Sequence, residues 1–526
     1  MPDRVSTSRH DPAYVSPARI NYIVSSLYPN YSANVTDPPR GFSIGSPIYS
    51  LEIAPNPSPP SFSGTVKAFH AMLKVCGRAF NHTKIQNEVA ALFLLARYCP
   101  SVPVPQVIAW SEDGVTISTF HQPIPDSSGL ADEKPRPWIL VSQPPGRPLK
   151  TADLDSVAGP AILAQVAQHN AAWRRYIPSL PVFGNVRFRS SSSPPNALPP
   201  HETLNIDGFL LCHRPVPGPV TTTLDYYMAM LKDQIHKVMS SRPYDDVRCD
   251  LVPLVAEFIE RDLLYLSCVR PSNREEISPI FSNLELSPRN ILVDYGPSGQ
   301  VTVTGIVNFE FAAFLPEIDE FANEFIRREG DWQERHYTIL MDELGRLGVR
   351  VPPLPGLSRE VDNKFSDQEW AEACLLWKLI DNVAPSYIVD GNPDNPKLVN
   401  RASIVVRDCI DRLQRMRPHR TAPKLRPGLL VNREMVGPQQ PSRTNWDADR
   451  TVCRNPITSA RVASDPASRR AYHPSRTRRG SRCPCSRWIA SVKNGNAVSS
   501  VDRTSGANTS FSAYWCIVST DSVNFG

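Results

Sequence analysis

The feature that most constrains this chain is a polar loop that runs directly into a hairpin. In FSNLELSPRNILVD (Phe281 to Asp294) the loop turns at Pro288 and enters a short apolar run, Ile291-Leu292-Val293. After the turn residues YGPSGQ, a second apolar run from Val301 to Val307 ends in Asn-Phe-Glu. Two short β-branched runs separated by Gly and Pro predict an antiparallel hairpin. Such a hairpin carries Glu285, Asn290 and Asn308 to one rim, and the remaining elements have to be arranged around that rim. Phosphoryl transfer uses this geometry: a carboxylate orients the acceptor hydroxyl, and an amide with a second carboxylate holds magnesium on the phosphates. Yet the two positions where that chemistry most needs aspartate hold Glu285 and Asn308.

The segments before the loop divide in two. GFSIGSPIYSLEI, from Gly41, predicts a turn and a strand, and HAMLKVCG a second strand with Ala71, Leu73 and Val75 on one face. KIQNEVAALFLLARYC has Ile85, Val89, Leu92 and Leu95 at helical spacing. QVIAWSEDG and PWILVSQPPG add further strands. Beyond Thr151 the period turns helical: Ile162, Val166, Trp173 and Ile177 share a face, and Tyr226–Val238 and Leu251–Leu266 repeat the pattern. Helices resume after the hairpin with DQEWAEACLLWKLIDNVAP and NRASIVVRDCIDRLQRM. A β-rich unit followed by a larger helical one predicts an α+β fold of two lobes, at about 41–144 and 145–416. Residues 1–40, polar and proline-rich, are expected to form a poorly ordered lead-in with one short helix near Ile20 to Leu27.

Composition bears mainly on the ends and the partners. The chain has 526 residues and 53 prolines, so much of it is loop. From Thr421 onward sixteen Lys/Arg stand against six Asp/Glu, while the rest carries a small acidic excess behind a net charge of +5. The tail 417–526 lacks a sustained period and is expected to be disordered and basic. The acidic remainder offers no broad basic face for nucleic acid. Eleven cysteines lie at irregular spacing with no CxxC pair, which fits idle thiols in a reducing compartment. With no apolar leader and no run long enough to span a bilayer, the expectation is a cytoplasmic protein without membrane contact. The sequence leaves the oligomeric state open.

In order and spacing, Pro39 to Met416 resembles the aminoglycoside phosphotransferase and choline-kinase-like family, in particular its fungal branch. That family's loop runs His-Gly/Tyr-Asp-Leu-x-Pro-x-Asn-Ile-Leu-Val, and its metal motif is Ile-Ile-Asp-Trp/Phe-Glu. The resemblance implies a protein-kinase-like fold. It also implies an ancestral reaction that moves the γ-phosphate of ATP, with Mg²⁺, to a small-molecule hydroxyl. By resemblance Lys74 in MLKVC reaches the nucleotide phosphates and Glu88 in QNEVAAL pairs with it. Gly41, Gly45 and Ser46 stand in the phosphate-covering turn, and WILVSQPPG lines the adenine pocket. Glu285 takes the base position, Asn290 and Asn308 the metal positions.

Three departures fall in one constellation. Glu285 sets its carboxylate one methylene further out than aspartate does, a misplacement that can cost about a hundredfold in rate. Asn308 brings no negative charge to the metal, and Mg²⁺ prefers carboxylate and phosphate oxygens. Asn283 replaces the loop histidine and is expected to remove an anchor beneath the loop. Catalysis is therefore expected to be impaired, the alternative being an inactive binding or scaffolding protein on the same fold. Glu310, Glu317, Glu320 and Glu324 put acid near the expected acceptor mouth, as either a solvated helix end or a cation site.

Overall fold

The structure is a computed structural model. It describes residues 15–416, apart from 37–39, 44–45, 57–66, 77–82, 121–123, 125–134, 189–203, 206–218, 271–277, 323–331, 386–387 and 389–395. The tail from residue 417 lies outside the described residues, as do Gly45 and Glu324.

The first lobe is an antiparallel sheet of six strands: β1 (Tyr31–Val35), β2 (Arg40–Ser43), β3 (Ser46–Pro55), β4 (Phe69–Val75), β5 (Val107–Ser111) and β6 (Trp138–Ser142). Their order is β1-β3-β4-β6-β5, with β2 beside β3. The two-residue period of β4 decides where its lysine goes. Ala71, Leu73 and Val75 enter one core with Leu51, Ile53 and Leu140. Lys74 must then face the other way, toward helix α2 (Thr83–Tyr98). Apolar residues of α2 occupy almost its whole circumference, and it joins the core of the second lobe. A helix hydrophobic all round has to be buried.

The short helix expected in the lead-in is present, and residues 15–35 pack onto the first lobe, unlike the poorly ordered segment expected around it. Helix α1 (Pro17–Leu27) sets Ile20, Ile23 and Val24 into the sheet's outer core, and β1 pairs with β3 from Tyr31↔Pro55 to Val35↔Leu51. Ser16 caps α1 by accepting from Arg19 N at 3.2 Å, and Pro17 opens it. The i, i+3, i+4 spacing of the three aliphatic residues outweighs the polar composition around them.

The second lobe is mostly helical: α3 (Thr151–Leu154), α4 (Gly159–Tyr176), α5 (Thr223–Ser240), α6 (Arg248–Arg261), α7 (Asp319–Ala322), α8 (Glu334–Arg346), α9 (Asp367–Val383) and α10 (Pro396–Arg415). Ile162, Val166, Trp173 and Ile177 are buried as their spacing predicts. The predicted hairpin is present: β12 (Ile291–Tyr295) pairs with β13 (Val301–Ile306), Ile291 opposite Ile306. Short strand β7 (Arg147–Pro148), from the lobe connection, pairs with β12. Gly146 precedes it at φ +96°, where a Cβ would lie 2.6 Å from the Val293 carbonyl oxygen; only glycine lets the connection come this close. A second small sheet orders β11 (Ile280–Ser282), β14 (Ala313–Leu315) and β8 (Gly184–Asn185), and β9 (Arg187–Phe188) pairs with β10 (Leu204–Asn205). Residues 283–290 and 307–312 are thus clamped between two sheets. No helix of the described residues is long and apolar enough to cross a membrane.

Candidate functional site

β4, α2 and the clamped loops bring Lys74, Glu88, Glu285, Asn290 and Asn308 together. Lys74 Nζ lies 3.0 Å from Glu88 Oε2 and 3.2 Å from Oε1, so the strand lysine and the helix glutamate form an ion pair. The same ammonium donates to Asn308 Oδ1 at 2.9 Å and meets Glu310 Oε2 at 2.5 Å. Asn308 Nδ2 donates to Glu285 Oε2, so its amide bridges the lysine and the residue at the base position. Asn308 sits at φ +68°, the one non-glycine residue with positive φ among those described. Asparagine tolerates this left-handed conformation better than most side chains.

The loop beneath is held by three further bonds. Asn283 Oδ1 accepts from Glu285 N at 2.8 Å, so asparagine at the place of the expected histidine keeps an anchor, contrary to the reading from sequence. Asn290 Nδ2 donates to the Glu285 carbonyl at 2.8 Å, and Trp332 Nε1 donates to the Leu286 carbonyl at 3.0 Å. Gly41 lies in β2 and Ser46 opens β3, whose Ile48 is opposite Lys74.

Lys84, which sequence reasoning missed, and Glu310, which it placed at the acceptor mouth, complete the cluster. Lys84, one residue into α2 and 1% exposed, meets Glu310 Oε1 at 2.9 Å. Glu310 is fully buried and joins both lysines; it does not line an acceptor mouth. Glu320 is buried and Glu317 partly exposed; Arg174 pairs with both, at 2.8 Å to Glu317, and Asn170 donates to Glu320 at 2.8 Å. Three residues on from Lys84, the Asn87 amide donates to the Glu310 and Ala312 carbonyls at 2.9 Å each. Together they tie the start of α2 to the residues following Asn308.

Burial opposes the charge on Lys74, but Glu310 and Glu88 outweigh it and raise its pKa, so the ammonium stays charged. Burial, with Glu310 adding, pushes the Glu285 carboxyl well above the usual carboxylate range. A raised pKa favours the protonated form, which does not accept the proton of an acceptor hydroxyl. Burial also raises Glu88, against the pull of Lys74. Lys74 and Lys84 stand against Glu88 and Glu310 in three ion pairs, Lys74 with both carboxylates and Lys84 with Glu310. A buried ionic group needs this degree of pairing.

Magnesium does not fit this arrangement. Asn290 Oδ1 is a buried acceptor with no partner and suits a metal, but the Asn308 oxygen is held by Lys74, and burial disfavours the charged form of Glu285. Among the described residues no group of three or more His, Cys, Asp or Glu side chains is placed to hold a metal ion. A nucleotide phosphate suits Lys74 in kind, provided that its carboxylate partners yield.

No protein-family model and no curated protein matches the sequence. Solved structures do. The chain is similar to the aminoglycoside phosphotransferase APH(4)-Ia, a thermostable mutant in a ternary complex with AMP-PNP and hygromycin B; identity is 14%, the match covers 74% of this chain and 97% of that chain, and the TM-score is 0.40. It is similar to the ethanolamine kinase of Plasmodium vivax at 9% identity, over 72% of this chain and 82% of that chain, with a TM-score of 0.37. The choline kinase of Cryptosporidium parvum matches at 13% identity, over 74% and 92% of the two chains, with a TM-score of 0.34.

Proposed function

We propose that this chain is a kinase-like protein of the aminoglycoside phosphotransferase type. Its ancestral reaction moves the γ-phosphate of ATP to the hydroxyl of a small molecule, and that reaction is impaired in this copy. The Asn308 amide, bridging the Lys74 ammonium and the Glu285 carboxyl, carries the reading. In a phosphotransferase those three positions act together: lysine on the phosphates, carboxylate on the metal, carboxylate on the acceptor. Here the same positions are occupied in the same mutual order, but the central group is an amide without charge, and burial raises the pKa of the carboxyl at the base position. Lys74 and Glu88 remain competent to position a nucleotide phosphate, whereas electrostatic stabilisation of the transferring group, usually the largest catalytic contribution, is diminished.

A second reading, a nucleotide-binding or scaffolding protein without turnover, is favoured by the carboxylates that already pair with both lysines. ATP turnover with a panel of small hydroxylated acceptors separates the two. The unmodified chain is expected to turn over very slowly or not at all. Asn308→Asp should restore metal binding first, and Glu285→Asp added to it should recover turnover beyond either single change, because residues of one constellation act as a unit. Robust activity of the unmodified chain, abolished by Glu285→Ala, contradicts the impairment.

A further inference from the structure

The carboxylate of Glu310 lies between two buried ammonium groups, 2.5 Å from Lys74 Nζ and 2.9 Å from Lys84 Nζ. One anion held by two lysines at an expected phosphate position is the arrangement a phosphate oxygen would itself adopt. We propose that Lys84 is a second phosphate-binding residue and that Glu310 is the resident counter-anion of the Lys74–Lys84 pair, displaced when a polyphosphate chain binds. The proposal rests on the nucleotide reading only for what carries the phosphates.

Three observations make the side chain, not the backbone, the moving part. The Glu310 carbonyl is fixed by Asn87 Nδ2 at 2.9 Å, so the main chain stays while the carboxylate rotates away. Lys84 Nζ lies 5.3 Å from the centroid of the Phe311 ring, and the ring face supports the ammonium when the carboxylate leaves. Lys74 keeps Glu88 at 3.0 Å and Asn308 at 2.9 Å. Two lysines also supply, without a divalent cation, positive charge that Asn308 can no longer recruit through a metal.

The test uses inorganic tripolyphosphate and ATP as probes, each titrated calorimetrically in EDTA into the full chain and its variants. Glu310→Gln keeps the shape and removes the competing charge. It is expected to tighten both probes by about tenfold or more, equivalent to about 1.4 kcal/mol, and Lys84→Met in that background should abolish the gain. Lys84→Met alone should weaken ATP several-fold, which keeps the proposal open to refutation if Glu310→Gln fails to fold. Unchanged or weaker binding by folded Glu310→Gln, or indifference to Lys84→Met, overturns the proposal. If ATP binds the unmodified chain while neither variant alters it, the nucleotide reading survives and this one falls. If tripolyphosphate shows the full pattern and ATP has no preference over it, the outcome reverses.

Discussion

Lys74 illustrates how a single buried charge depends on its surroundings. It is 5% exposed, with Glu88, Glu310 and Asn308 around it. Removing one partner of a buried pair leaves the other uncompensated, typically at about 3–5 kcal/mol. Lys74→Met is therefore expected to destabilise the protein by roughly that amount in urea unfolding. Adding Glu88→Gln should recover part of the loss, and a neutral Lys74→Met would show the pair to be energetically idle. Asp319 gives a second residue-scale prediction. It is fully buried, and burial raises its pKa to about 6 despite the Tyr227 hydroxyl that donates to it. A carboxyl raised in the folded state contributes stability below its unfolded pKa of 3.8, and that contribution is lost as pH rises through about 6. Asp319→Asn keeps the acceptor and cannot ionise. Its unfolding free energy should fall less between pH 4 and 8, the difference reaching about 2–3 kcal/mol; superimposable pH profiles contradict this. The charged residues were also the hardest to read in advance. A lysine in a strand or a helix usually lies in solvent, and nothing local to Lys84 or Glu310 in the sequence says otherwise. Their burial follows from α2 being apolar nearly all round and from the clamping of residues 307–312 by two small sheets, both of them tertiary effects.

At the scale of elements, strong periods were legible and weak ones were not. The alternation in β4, the helical period of α2 and the turn between β12 and β13 predicted the parts that assemble the site. Short strands β7, β8 and β14, of two or three residues, have too few positions to show a period. A short helix was expected near Ile20 to Leu27, but its docking and β1 were hidden for another reason: proline and serine around them suggest loop, and only Ile20, Ile23 and Val24 mark the buried face. Those three residues make α1 part of the first lobe's core. Ile23→Ala is expected to cost about 2–4 kcal/mol, the usual range for a buried aliphatic truncation, read by thermal or urea unfolding. A change below about 0.5 kcal/mol, typical of surface positions, would mean that α1 is dispensable.

For the whole molecule, the two lobes share a compact ion-paired cluster beside their common core: β4 and α2 provide Lys74, Lys84 and Glu88, and the clamped loops provide Glu285, Asn308 and Glu310. Without an acidic metal ligand, nucleotide binding should depend on lysines and not on a divalent cation. The most direct measurement is the ATP dissociation constant of the full chain, by calorimetry, with millimolar Mg²⁺ and again in EDTA. The account predicts values within about threefold of each other, a difference under about 1 kcal/mol, and a strong magnesium dependence that appears only in Asn308→Asp. Tightening of the unmodified chain by more than about tenfold on adding Mg²⁺, or no ATP binding in either condition, would contradict it.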